Sequence, residues 1–340
     1  MPGSPLPRLR KPTAWAREES PFHEGEQRVQ QRIGVRERVE QMGRNLVRDF
    51  MPDEHREFFE DLPFLAVGSA DVTGALWASL LIGEAGFVRA PTPRSLLVQA
   101  GPLPGDPLAG NLLDGAPLGL LGIELTTRRR NRANGRVVRV GNGGFEFSVE
   151  QSFGNCKQYI QSRAGAFAAR ELRTLPAAQA PELSAEALQL LARTDTAFIA
   201  TGSRDAHRGE RGGVEGVDVS HRGGRPGFIR SQLVDGATTL TLPDFSGNFM
   251  FNTFGNLEVN PRAGFLALDF DSGAVLSVTG TARVIWDGPL VESFAGAERL
   301  LEMRVDSGWL WRGVLVGWTA AQQSPHLRGT GTWNGGGQSD

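Results

Sequence analysis

Two stretches of this chain, 145 residues apart, repeat the same succession of turn and apolar residues. Gly110-Asn111-Leu112 opens GNLLDGAPLGLLGIEL, and Gly255-Asn256-Leu257 opens GNLEVNPRAGFLALDF. The same spacing sets Asn134-Gly135-Arg136-Val137 against Thr279-Gly280-Thr281-Ala282. Upstream, FLAVGSAD from Phe64 matches FIATGSRD from Phe198 at a spacing of 134, and GFVR from Gly86 matches GFIR from Gly227 at 141. The spacing widens because the second copy carries extra residues, chiefly in a Gly-rich loop at 209–215. The order of elements kept through these shifting spacings marks two copies of one domain, in accord with 340 residues.

Within each copy the pattern is that of short strands divided by turns. In the second copy the stretch 239–270 reads TLTLPDFSGNFMFNTFGNLEVNPRAGFLALDF. Leu240 and Leu242 alternate as in a strand, and Asp244, Ser246, Gly247 and Asn248 form a polar bend. A short helix follows and stops at Asn260-Pro261, because proline cannot continue a helix and pushes the residue before it out of the helical region. A second apolar strand then covers 263–270.

The domains are expected as an N-terminal arm with helices (1–61), a first barrel with a trailing helix at 151–172 (62–176), a linker and helix capped by Ser184 (177–194), a second barrel (195–328) and a flexible tail (329–340). Val29, Ile33, Val39, Met42 and Leu46 recur at helical spacing in the extension, after the segment Phe22-His23-Glu24-Gly25-Glu26, where His23 reads as a surface helix cap.

Charge excludes some partners. With 36 basic and 38 acidic residues the chain has no net field to draw nucleic acid or an anionic membrane. The cluster Arg128-Arg129-Arg130 with Arg132 and Arg136 lacks interleaved aromatics and reads as a solvated turn. One cysteine, Cys156, excludes an internal disulfide, and the five histidines show no zinc spacing. No apolar run approaches the ~20 residues of a membrane span and no signal-peptide core is present, so a cytoplasmic protein is expected.

Strand, polar bend, short helix, Asn-Pro stop and strand together resemble the central block of the pyridoxamine 5'-phosphate oxidase-like, FMN-binding split-barrel family, and tandem-barrel relatives carry a similar Phe-His-x-Gly-Glu opening. The resemblance implies a mainly β chain, two tandem split barrels forming a pseudo-dimer with an N-terminal helical extension. It also implies FMN at the barrel interface, its phosphate held by the bend and the helix start.

Symmetry allows two such sites, and the second copy is the better holder. Asn252 and Thr253 stand there opposite Pro107 and Leu108, and amide and hydroxyl groups offer phosphate the donors that Pro and Leu side chains lack. The other cofactor candidates are Ser220, His221, Arg225 and Arg230 around HRGGRPGFIR, Asn256 on the helix, and Cys156, Lys157 and Arg163 from GNCKQYIQSR. The last three belong to a segment that, by the resemblance, lies close to the flavin. The oxidase proper has Arg-Lys where this chain has Asn252-Thr253, which disfavours pyridoxamine phosphate as the substrate.

The activity implied is FMN-dependent redox chemistry on a small-molecule substrate, with electrons passed to oxygen, a nicotinamide or a partner reductase. The flavin carries that chemistry, so no catalytic dyad is expected. Two alternatives stay open: a barrel that has lost its flavin and serves as a binding or assembly module, and a heme-handling protein with His221 or His326 as the ligand.

Overall fold

The computed structural model describes residues 14–141, 143–165, 175–206, 213–315 and 317–333. Three helices lead the chain: α1 (Glu24–Arg32), α2 (Arg36–Leu46) and α3 (Asp53–Glu60). The first barrel contains β1 (Phe64–Ala70), β2 (Leu76–Ile82), β3 (Val88–Thr92), β4 (Ser95–Val98), α4 (Leu108–Asn111), β5 (Pro117–Glu124), β6 (Arg129–Gly141) and β7 (Gly144–Gly154). After β8 (Ala177–Gln179) and α5 (Ala185–Arg193), the second contains β9 (Thr196–Gly202), β10 (Val217–Gly223), β11 (Arg230–Val234), β12 (Ala237–Asp244), α6 (Asn252–Val259), β13 (Arg262–Asp269), β14 (Ala274–Ile285), α7 (Pro289–Glu292) and β15 (Arg299–Trp311). No helix among the described residues is long and apolar enough to cross a membrane.

The two sheets have one topology. The first is ordered β2-β1-β5-β6-β7-β4-β3 and the second β10-β9-β13-β14-β15-β12-β11, all pairs antiparallel, with β8 added to β15. The short helix falls between the fourth and fifth strands in both, and α6 ends as expected, with Asn260 extended before Pro261. These are two tandem split barrels.

The inner strands are buried on both faces because each face has its own core. Successive side chains of a strand point to opposite sides. In β1, Leu65 and Val67 enter the first barrel's interior while Phe64 and Ala66 join a cluster between the barrels. In β9, Ala197 and Ile199 face the second interior, and Phe198 and Ala200 face the shared cluster.

The barrels meet about a pseudo-two-fold axis. An added Cβ on Gly119 of β5 would lie 2.7 Å from the Asp218 Cα, and one on Gly264 of β13 would lie 2.6 Å from the Trp77 Cα. Gly119 and Gly264 are counterparts in the repeat, as are Trp77 and Asp218, so the contact is made twice with the roles exchanged, as in an isologous dimer. Close to the axis, a Cβ on Gly68 would stand 3.2 Å from the Cβ of Ala200, its own counterpart by strand pairing. Gly264→Val is accordingly expected to cost about 3 kcal/mol or more, since backbone rather than a flexible side chain blocks the added methyls. Urea unfolding measures this, and a loss below about 1 kcal/mol would count against so close an interface.

Three sequence expectations need correction. The match of Phe64 to Phe198 is two residues out of register: strand pairing sets Val67 opposite Leu120 and Ile199 opposite Phe265, giving a spacing of 132. A slip of two leaves every side chain on its proper face, which is why the sequence match survived it. The trailing helix at 151–172 is absent through residue 165. β7 continues to Gly154 because Phe147, Val149 and Phe153 keep a period of two, and the chain then passes without helix through a turn at 158–159 to a bridge between Ser162 and Gln322; residues 166–172 lie outside the described residues. Finally, the arginine cluster is a solvated turn only in part: Arg128 closes a turn and Arg129 is exposed, but β6 begins at Arg129 and carries Arg130 and Arg132 inward.

Candidate functional site

A cavity of about 140 Å³ opens at the junction of the barrels, on one side of the pseudo-two-fold. β6 of the first barrel supplies Arg130 and Arg132, the segment after β7 supplies Asn155, Cys156, Gln158 and Tyr159, and β10 supplies Ser220, His221 and Arg222. Asp244 at the end of β12, the bend that follows it, Asn252 and Thr253 of α6, and Arg299 of β15 complete the wall.

Four guanidinium groups therefore meet the two lining carboxylates Asp244 and Glu298. Arg222 and Arg299 both pair with Asp244, and Arg299 also with Glu298. Arg299 is stacked among Phe251, Phe254 and Trp286 at 5.1–5.8 Å, so its apolar faces are covered as well. Arg132 pairs with Asp218, which lies behind the wall, and donates to the Val219 carbonyl at 3.0 Å and to Ser220 Oγ at 2.6 Å. Arg130 donates to the Cys156 carbonyl at 2.5 Å.

The Nε atoms of all four arginines, together with His221 Nε2, are buried with no hydrogen-bond partner among the described residues. Burial and the neighbouring Arg132 push the Arg130 guanidinium down to about 9. Burial, with Arg130 and Arg222 beside it, holds His221 well below the usual histidine range, so its ring is neutral at pH 7. The arrangement has unspent donors and an excess of positive charge, which suits an anion.

The crossing segment roofs the cavity. Tyr159, at φ 66°, stacks on Phe245 at 4.9 Å and donates from its hydroxyl to the Ser246 carbonyl at 3.0 Å. Its own carbonyl lies where a Cβ on Gly223 would stand, so the first barrel's exit strand can pass over β10 only at that glycine.

The expected site residues divide into two groups. Ser220, His221, Asn252, Thr253 and Cys156 line the cavity. Arg225 donates instead to the Leu327 carbonyl, Arg230 lies over the Trp333 ring at 5.4 Å, and Lys157 is exposed. Arg163 is buried in an ion pair with Asp195 and stacked on Phe270 at 4.2 Å. Asn256 donates to Thr201 Oγ1 at 3.0 Å and bonds His23 Nε2 at 2.8 Å. His23 does cap α1, but it is buried rather than on the surface.

Sequence reasoning missed Arg130, Arg132, Arg222, Asp244 and Arg299. Comparing the copies finds most of them. Arg130, Arg132, Arg222 and Asp244 correspond to Val275, Ser277, Leu81 and Ala100, and His221 to Leu80. The charged members all fall around one of the two symmetric places.

At the other place the fold is closed from within. Asp106 accepts from the Leu108 amide at 2.8 Å and from Ser79 Oγ at 2.7 Å, while the buried Trp311 donates to the Pro104 carbonyl at 2.8 Å. The counterparts of those two donors in the second barrel are the Thr253 amide and Ser220 Oγ, and Phe251 stands where Asp106 would be.

No family model and no curated protein matches this chain. Among solved structures it is similar to HupZ from Group A Streptococcus (14% identity, 41% of this chain and 98% of that one, TM-score 0.28). It is also similar to a pyridoxamine 5'-phosphate oxidase candidate from Lactobacillus delbrueckii (14%, 38% and 94%, 0.28) and to HutZ, the heme storage protein from Vibrio cholerae (12%, 43% and 99%, 0.22). Each likeness spans about one of the two repeats. The tandem split-barrel arrangement described above rests on the strand order of this chain itself.

Proposed function

We propose that the protein is an FMN-binding oxidoreductase with one cofactor site per chain, its phosphate end in the arginine-lined cavity. The observation that carries this is the set of buried Nε donors on Arg130, Arg132, Arg222 and Arg299 without a partner among the described residues, with the unpartnered His221 Nε2 beside them. The first barrel adds a stand-in: at the symmetric place a carboxylate, Asp106, sits on the amide and hydroxyl whose counterparts are Thr253 and Ser220. Those two groups, with Arg130 and Arg222, are the proposed phosphate holders, and the donor set fits a phosphate dianion.

FMN, when bound, supplies the redox chemistry, accepting and passing on a hydride or electrons. The chain orients and shields. Tyr159 and its segment keep water from the cavity, and the neutral His221 offers Nε2 for a hydrogen bond to the ligand. The small-molecule substrate and the electron acceptor, whether oxygen, a nicotinamide or a partner reductase, belong to the same proposal. A second reading, heme held through His221, is favoured only by that unpaired Nε2.

Titration of the purified protein with FMN, followed by flavin fluorescence, tests the first reading. Tight binding is expected, and Arg130→Ala should weaken it at least tenfold, about 1.5–3 kcal/mol for a hydrogen bond to a charged group. Among the described residues Arg130 donates to the Cys156 carbonyl and is in no ion pair that its removal would orphan. Absence of FMN binding by the wild type, or a Soret band on heme addition instead, would overturn it.

A further inference from the structure

We infer that the N-terminal extension, which belongs to neither barrel, is a strap that holds the ligand bend and the start of α6 in a pre-set conformation. Its residues are positioning residues of the phosphate site proposed above, and the inference rests on that reading for the ligand but not for the strap.

The bend is strained. Phe249 and Phe251 have φ of 59° and 63°, a region that non-glycine residues with large side chains rarely adopt and that the surroundings must enforce. Inside the bend, Asn248 Oδ1 accepts from the Met250 amide at 3.2 Å. Tyr159 holds the Ser246 carbonyl and Arg299 lies over Phe251 from the barrels, and a further set of restraints comes from the extension. Gln30, fully buried, donates to the Met250 carbonyl at 3.1 Å and is itself held by Arg36 at 3.1 Å. The Met250 side chain is enclosed with Trp15, Phe22, Val39 and Val47 of the extension and Phe153 of β7, and Arg38 lies over the Phe249 ring at 5.1 Å.

One turn on, Glu26 accepts from the Asn252 side chain and His23 bonds Asn256. α1 and α6 touch at glycines: a Cβ on Gly25 would overlap the Gly255 carbonyl, and one on Gly255 would overlap Glu26. The first barrel shows what the strap adds. Gly110, the counterpart of Gly255, faces open space, and α4 is only four residues long. The hydrogen bond inside the barrel is nevertheless kept there, Asn111 to Ser69 at 2.9 Å matching Asn256 to Thr201. The glycine contact and the Glu26 and Gln30 bonds are therefore specific to the barrel that carries the cavity, and Asn252, which Glu26 holds, lines it.

The test uses the full chain with Glu26→Ala, Glu26→Gln and Gln30→Ala. Amide hydrogen exchange without ligand should speed at least tenfold at 249–256 in the alanine variants, with the inner strands of both barrels unchanged, and Glu26→Gln, which keeps an acceptor for Asn252, should recover most of the protection. In parallel, the ratio of FMN to riboflavin affinity should fall about tenfold in the alanine variants. A general loosening would weaken both ligands alike, whereas a strap on the phosphate end affects FMN alone. Should Glu26→Ala fail to fold, Gln30→Ala, which removes one hydrogen bond from the bend, decides the matter. Unchanged exchange at 249–256 overturns the strap. A wild type that fails to prefer FMN over riboflavin overturns the phosphate reading instead, and the exchange result still stands.

Discussion

Arg132→Ala is expected to destabilise the protein by about 3–5 kcal/mol, the range for removing one partner of a buried ion pair. Arg132 and Asp218 side chains are 3% and 6% exposed, and they come from different barrels, 86 residues apart. The alanine would leave the Asp218 carboxylate in the interface with its largest compensation gone, and would take away the donor to the Val219 carbonyl and Ser220 Oγ. The symmetric place shows a cheaper solution to the same geometry: Ser277, the counterpart of Arg132, donates to the Ala78 carbonyl at 2.7 Å, and Trp77 replaces Asp218. Arg132→Ala with Asp218→Ala should therefore recover a good part of the loss, because no charge is then stranded. Urea unfolding of the single and double variants measures both quantities. A single-variant loss under 1 kcal/mol, or a double variant no better than the single, would mean that the pair is solvated.

The reach of the sequence follows from what each residue type signals. Strands and their two faces were legible because apolar residues of the inner strands alternate between two cores. The side on which the cavity lies was legible in outline from Asn252 and Thr253 against Pro107 and Leu108. Its charged wall was not, for Arg130 and Arg132 read as surface residues in one dimension, and only the crossing of the barrels places Asp218, Ser220 and the cavity before them. Arg225 and Arg230 were attractive as arginines in a glycine-rich segment, yet Gly227, at φ 89°, serves a turn that carries them to the outer side, against Leu327 and Trp333. The segment at 154–163 was placed near the site by the resemblance; Cys156 and Tyr159 do line the cavity, but the form differs, an irregular exit with a turn at 158–159 in place of a helix. Nothing in the spacing of the Phe-His-x-Gly-Glu opening could show that its glycine meets Gly255, since that contact spans 230 positions.

Asp106 gives the sharpest pH signature. It is 3% exposed, Oδ2 has no partner among the described residues, and burial raises its carboxyl to about 6 despite the Leu108 amide and Ser79. A folded value above the unfolded one, near 4, means that the folded state binds the proton more readily. The group therefore costs nothing below about pH 4 and costs its full amount above pH 6, about 2–3 kcal/mol. Total stability will not show this directly, because His55 opposes it. Burial, with Arg48 beside it, holds His55 at about 4, so its contribution is present above the ordinary histidine range and is lost as the pH falls through 4. The neutral, buried His221 adds to the same acid loss. The difference between wild type and Asp106→Asn cancels both. Whatever the amide costs in packing or unpaired hydrogens is nearly constant with pH, so the wild type should gain about 2–3 kcal/mol relative to the variant as the pH is lowered from 8 to 4. Urea unfolding at four or five pH values measures it. A flat difference would mean that Asp106 is ionised without penalty in the fold, and with it would go the view that this carboxylate is a costly buried anion standing over the counterparts of the Thr253 amide and Ser220.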